Sequence, residues 1–128
     1  MIAVDASAVL AILFEEPEGP AFLKALAEMP GVISPVNYWE VLVRAHVDAG
    51  EPGAARALAL MNRLGLEVAQ IGSQDAHLAY AAVGRFGKGA GGPLNLGDCF
   101  AYALAQLEGG GLLYKGNDFS KTDVKPAL

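Results

Sequence analysis

Apolar positions along the chain fall into runs of two lengths, and the two lengths alternate. The short runs, "IAV" (2–4), "GVIS" (31–34), "LEVAQI" (66–71) and "GLLY" (111–114), have the apolar and β-branched content of strands. The longer ones read as helices. "SAVLAILF" (7–14) is expected to be capped by Ser7 and stopped by "EEPEGP", and "AFLKALAEM" (21–29) has helical spacing. "PVNYWEVLVRAHVDAG" (35–50) has Pro in its first turn and Gly at its end, and "GAARALALMNRLG" (53–65) repeats that design. "SQDAHLAYAAVGRF" (73–86), opened by Ser73 or Asp75, and the segment 96–108 are the remaining helices. After the fourth strand comes a polar turn, "KGNDFSKTD", with a last short strand expected near Val124. Short strands alternating with helices predict an α/β fold: a short, mainly parallel sheet of four or five strands covered on both faces.

In such folds ligands bind beyond the carboxyl ends of the strands. That rule selects among the acids. Asp5 follows the first strand directly, and Glu40 lies six residues past the second, on the first turns of its helix. Asp98 heads the helix leading into 111–114, and Asp118 lies four residues past that strand. Each has an ordinary explanation. Asn95 and Asp98 have the spacing of a capping box, Asp5 can simply end a strand, Glu40 can face solvent, and Asp118 suits a turn. As a set they need more. Glu40 sits among "YW" and "VLV", and Asp98 precedes "CFAYALA", so both lie on apolar helices. An ionised carboxylate buried without a partner costs several kcal/mol, and the chain has only nine Lys and Arg. A divalent cation relieves the repulsion of several carboxylates at one sheet edge. All-oxygen ligands select Mg²⁺ or Mn²⁺ over zinc.

Composition narrows the picture further. Hydrophobic residues make up 53% of 128 residues, which excludes a disordered chain and fits one domain over residues 1–128. No apolar run approaches the roughly 20 residues of a membrane span. The N-terminus has no basic stretch and Asp5 interrupts its apolar run, so no secretory signal is expected. A single cysteine excludes an internal disulfide and cysteine-rich zinc sites, and it suits a reducing cytoplasm. The net charge of −5 speaks against a nucleic-acid partner. With the four selected acids set apart, however, ten acids face nine bases, and the rest of the surface is nearly balanced.

"IAVDASAVLAIL", "PVNYWEVLVR", "LNLGDCFAYALA" and "LLYKGNDFSKTDV" resemble, in order and at similar spacing, the successive motifs of the PIN-domain family. More narrowly, they resemble the VapC-type toxins of bacterial toxin–antitoxin pairs. The similarity runs from residue 2 to 125. It implies a three-layer α/β/α sandwich and a Mg²⁺- or Mn²⁺-dependent endoribonuclease leaving 5′-phosphate and 3′-hydroxyl ends. It also implies a homodimer held inactive by a cognate antitoxin. Carried over by motif, the resemblance assigns the acidic site to Asp5, Glu40, Asp98 and Asp118. Many relatives read "GDDF" where this chain has "GNDF", so either Asn117 or Asp118 takes the fourth place, with Asp118 preferred because it completes the acids. Ser7 matches the small hydroxyl residue often found two positions after the first Asp, and it is read either as orienting a metal-bound water or as a helix cap.

Arg85, Lys88, Lys115 and Lys121 fall in or near loops flanking Asp98 and Asp118, where they are either phosphate contacts or solvated cations. "GKGAGG" (87–92) fits GxGxxG in form only, since it follows a helix rather than a strand. Cys99, among apolar residues, reads as packing. His46 and His77 are isolated, and Tyr38 and Trp39 read as core or interface. Two alternatives to the nuclease stay open here. One is a phosphatase using Asp5 as nucleophile, although Ser7 stands where a second Asp is usual. The other is a non-catalytic binding module, for which Asn117 speaks.

Overall fold

The computed structural model describes residues 1–128. Four strands, β1 (Ile2–Val4), β2 (Gly31–Ile33), β3 (Glu67–Val68) and β4 (Leu112–Leu113), form one sheet in the order β3-β2-β1-β4. Every pairing is parallel. Five helices connect them: α1 (Ala6–Leu13), α2 (Gly19–Glu28), α3 (Pro35–Arg63), α4 (Ser73–Phe86) and α5 (Leu96–Glu108).

Side chains alternate across the sheet as the two-residue period of a strand requires. Ile2, Val4, Ile33 and Leu113 enter one core with α1, α2 and α3. Ala3, Val32 and Leu112 enter a second core with α4 and α5. The sheet is thus buried on both faces between two helical layers, the arrangement its continuous apolar strands predict.

Four local differences from the sequence expectation have physical causes. β3 is only two residues long and both are exposed, because it lies at the sheet edge with one neighbour. The strand expected near Val124 is a single parallel bridge between Leu112 and Pro126, where Pro126 has no N–H with which to extend the ladder. The cap of α1 is Asp5 rather than Ser7: Asp5 is extended at the end of β1, and its side chain accepts from the Ser7 amide. Likewise neither Ser73 nor Asp75 caps α4. Gly72 holds that place, with Asp75 Oδ2 accepting its N–H at 3.0 Å.

The helix carrying Glu40 is well determined by its sequence. Ser34 caps α3 by accepting from the Val36 amide at 3.1 Å, and Pro35 occupies the first helical position. The two helices expected over 35–50 and 53–65 form one run interrupted at Ala49 and Gly50. Gly50 has φ +64°, a left-handed conformation that glycine adopts without a Cβ penalty, and Pro52 follows it.

Candidate active site

The carboxyl ends of β1 and β4, the first turns of α3 and α5, and the turn after β4 surround a cleft of about 400 Å³. Asp5, Glu40, Asp98 and Asp118 all line it, together with Ser7, Glu16, Arg44, Asn95 and Lys115. Four acids separated widely in sequence thus meet at one edge of the sheet.

Each of the first three is held by one of its two oxygens. Asp5, 5% exposed, accepts from the Ser7 amide and hydroxyl at Oδ2, at 3.0 and 2.6 Å. Asp98 accepts the Asn95 N–H at Oδ2 (3.0 Å), while Asn95 Oδ1 accepts the Asp98 N–H (2.9 Å). The capping box read from the sequence is therefore real, and the same residue lines the cleft. Glu40 Oε1 accepts from Asn37 Nδ2 at 3.0 Å. Asp118 is exposed on the turn after β4. Its neighbour Asn117 is not part of the lining; its carbonyl accepts the Ser120 hydroxyl at 2.6 Å.

The electrostatics show that these groups share one field. Burial pushes the Asp5 carboxyl up to about 7, against the Ser7 hydrogen bonds, and the charges of Asp98 and Glu40 push it the same way. Burial also raises Asp98, opposed by the Asn95 hydrogen bond and reinforced by the charges of Glu40 and Asp118. No three acidic, histidine or cysteine side chains are arranged to hold a metal ion among themselves. The donor chemistry nevertheless suits a hard cation of the Mg²⁺ type, which keeps several waters and takes only one or two carboxylates directly. Mutual repulsion among partly buried acids is what such a cation relieves.

The four cations picked out in the sequence are placed differently from one another. Lys115 lines the cleft but its Nζ is paired with Glu16 Oε2 at 2.7 Å and Glu18 Oε1 at 3.7 Å, so it is not a free phosphate contact. Arg85 is engaged elsewhere, with Asp123 at 3.1 Å and stacked 4.6 Å over the Phe86 ring. Lys88 is exposed on the short turn after α4, near enough for its charge to lower Asp98. Lys121 is exposed on the turn after Asp118. Arg44, which closes the "PVNYWEVLVR" stretch but is not one of the four cations, lines the cleft one helical turn after Glu40 and has no carboxylate within ion-pair distance.

Asn37 and Gly97 lie within two of the quoted motifs without being among the candidate site residues. Asn37 is fully buried, and its Nδ2 donates to Gly97 O as well as to Glu40, both at 3.0 Å. Its one signal in the sequence is a lone amide one turn before Glu40 on an otherwise apolar helix face. Cys99 is buried and its thiol is raised by burial, consistent with packing. His46 and His77 are exposed. Tyr38 packs against the first core, whereas Trp39 is 62% exposed and so is not part of it.

Comparison with known proteins agrees with this architecture. The PIN domain model matches residues 2–125. Ribonuclease VapC30 of Mycobacterium tuberculosis is 36% identical over 125 residues, covering 94% of each chain. A ribonuclease VapC of Mycolicibacterium smegmatis is 38% identical over 125 residues, covering 94% of this chain and 95% of its own. Among solved structures, M. tuberculosis VapC20, described as a sarcin–ricin loop cleaving toxin, has the same fold. Its TM-score is 0.79 at 16% identity, over 100% of this chain and 98% of that one. The chain belongs to the PIN-domain family and, within it, to the VapC ribonucleases.

Proposed function

We propose that this protein is a Mg²⁺- or Mn²⁺-dependent endoribonuclease, the toxin of a toxin–antitoxin pair. The observation that carries the reading is the convergence of Asp5, Glu40, Asp98 and Asp118 on one cleft, where the charges of Asp98 and Glu40 help raise Asp5 and those of Glu40 and Asp118 help raise Asp98. The ribonuclease names of its relatives favour it over a phosphatase or a non-catalytic module.

Asp5, Asp98, Glu40 and Asp118 would hold the cation. When bound, a divalent ion supplies an acidified water as nucleophile and positive charge against the oxygens of the scissile phosphate. The chain's own part is positioning. Ser7, the Asn95 amide and Asn37 each fix one carboxylate oxygen, leaving Asp5 Oδ1, Asp98 Oδ1 and Glu40 Oε2 without a hydrogen bond from the protein. Arg44, unpaired on the cleft wall, binds RNA phosphate.

On the same reading the protein acts in the cytoplasm as a homodimer silenced by a cognate antitoxin. No helix is long and apolar enough to cross a membrane. Phe14, exposed on the cleft lining, offers the antitoxin apolar surface beside the acids. Cleavage of a structured RNA with Mg²⁺ is expected from the wild type, and none from Asp5→Asn or Asp98→Asn. Undiminished cleavage by both variants overturns the reading. Co-expression with the adjacent upstream reading frame is expected to give a stable complex.

A further inference from the structure

We infer that Asn37 is a positioning residue of this site: together with Gly97 it docks the Glu40 carboxylate against the first turn of α5, beside Asp98. The inference rests on the nuclease reading and adds to it a clamp between the two helices that carry these acids.

Three observations support it. The two hydrogens of Asn37 Nδ2 go to two acceptors, Glu40 Oε1 and Gly97 O, each at 3.0 Å. The amide orientation is therefore forced, since the flipped amide would set its oxygen against two others. Asn37 Oδ1 is left buried with no partner, although the side chain is wholly inside the protein. A core chosen for stability alone would not retain that group, because a buried acceptor without a hydrogen bond is destabilising. From the other side, a Cβ at Gly97 would lie 2.4 Å from Glu40 Oε1 and 2.9 Å from its Cδ. Only glycine lets the carboxylate approach α5 this closely.

The test compares the full-length wild type with Asn37→Leu, Gly97→Ala, Glu40→Gln and the double variant Asn37→Leu/Glu40→Gln. Two readouts are taken: Mn²⁺ binding without RNA, followed by electron paramagnetic resonance of the free ion, and kcat and KM on a structured RNA. Asn37→Leu and Gly97→Ala are each expected to weaken Mn²⁺ binding about tenfold and to lower kcat by about tenfold or more. KM for RNA should stay within about twofold. Because Asn37 acts through Glu40, the double variant should lose no more than Glu40→Gln alone. The inference is overturned if folded Asn37→Leu or Gly97→Ala keeps Mn²⁺ affinity and kcat within about twofold of wild type, or if the losses add in full. Failure of both to fold assigns the pair to packing alone and overturns it too. If Asn37→Leu alone fails to fold, Gly97→Ala decides. A wild type silent in both readouts sinks the nuclease reading itself, whereas an active wild type, sensitive to Asp98→Asn but not to Asn37→Leu, sinks only the clamp.

Discussion

The Ser7 hydroxyl donates to Asp5 Oδ2 across 2.6 Å while accepting the backbone N–H of Lys115 across 3.0 Å. A single side chain thus ties the acid at the end of β1 to the turn that leaves β4, and these two strands are paired. Ser7→Ala removes the hydroxyl bond that lowers the Asp5 carboxyl and strands the Lys115 amide. It is expected to cost about 1 kcal/mol of stability and to move the acidic limb of the cleavage pH profile upward. Ser7→Thr should restore both, as read by thermal unfolding and by pH–rate curves.

Asp5 itself is predicted to trade stability for function. Its carboxyl titrates near 7 in the folded protein against an ordinary 3.8. Between those values the folded state binds more protons than the unfolded state. The stability the buried acid contributes is therefore full below the lower value and lost as pH rises through about 7. Asp5→Asn keeps an acceptor for Ser7 and never ionises. In EDTA it should be more stable than wild type at pH 8, by roughly 1–3 kcal/mol, and little different at pH 4, while cleavage is abolished. Equal stability at both pH values would contradict the assigned burial penalty.

On the nuclease reading, proton and cation compete for the same cluster. Burial and mutual repulsion raise Asp5 and Asp98, so protons hold these acids at higher pH than usual. Mn²⁺ affinity should accordingly fall as pH drops through about 7, the value for Asp5. Where one proton is displaced, the fall is about tenfold per pH unit. Calorimetric titrations across that range would show it, and a flat affinity would exclude Asp5 from the cation's ligands.

The cations of the surface are predicted to separate by whether they already have a partner. Arg44→Ala should weaken RNA binding and reduce the slope of log affinity against log salt by about one. Arg85→Ala should leave that slope unchanged, because Arg85 is bound to Asp123 and lies outside the cleft lining. Its effect should be on stability instead. Arg85 and the Tyr102 hydroxyl, 2.5 Å from Asp123 Oδ1, jointly hold the C-terminal segment to α4 and α5. Filter binding of RNA to an Asp98→Asn background, over a series of salt concentrations, distinguishes the two variants.

Three of the acids were legible in the sequence because Asp5, Glu40 and Asp118 each follow a strand by a few residues, and a parallel sheet brings those strand ends to one edge, whereas Asp98 stood out at the head of the apolar helix that leads into β4. Asp98 was legible twice, as part of a cap and as a candidate site residue, and in the structure it closes the first turn of α5 and lines the cleft. What could not be read were properties of the space between elements. Nothing near Lys115 in sequence announces Glu16, which reaches it through the turn after α1, where Glu15 has φ +54°. Asn37 depends on where α5 crosses α3, a distance of 60 residues along the chain. The edge strand expected over 66–71 shortened to two residues and the cap positions shifted by one or two, since both are decided by neighbours that a one-dimensional pattern does not contain.

Asp98 divides its two oxygens between separate duties. Oδ2 closes the first turn of α5, and Oδ1 receives no hydrogen bond from the protein. An amide at this position can keep the first duty and abandon the second, whereas a methyl group forfeits both. On the nuclease reading, inert descendants of the protein that have undergone Asp98→Asn can therefore keep the folded shape that the proposed antitoxin grips, and a cell harbouring one would sequester that antitoxin without cutting RNA.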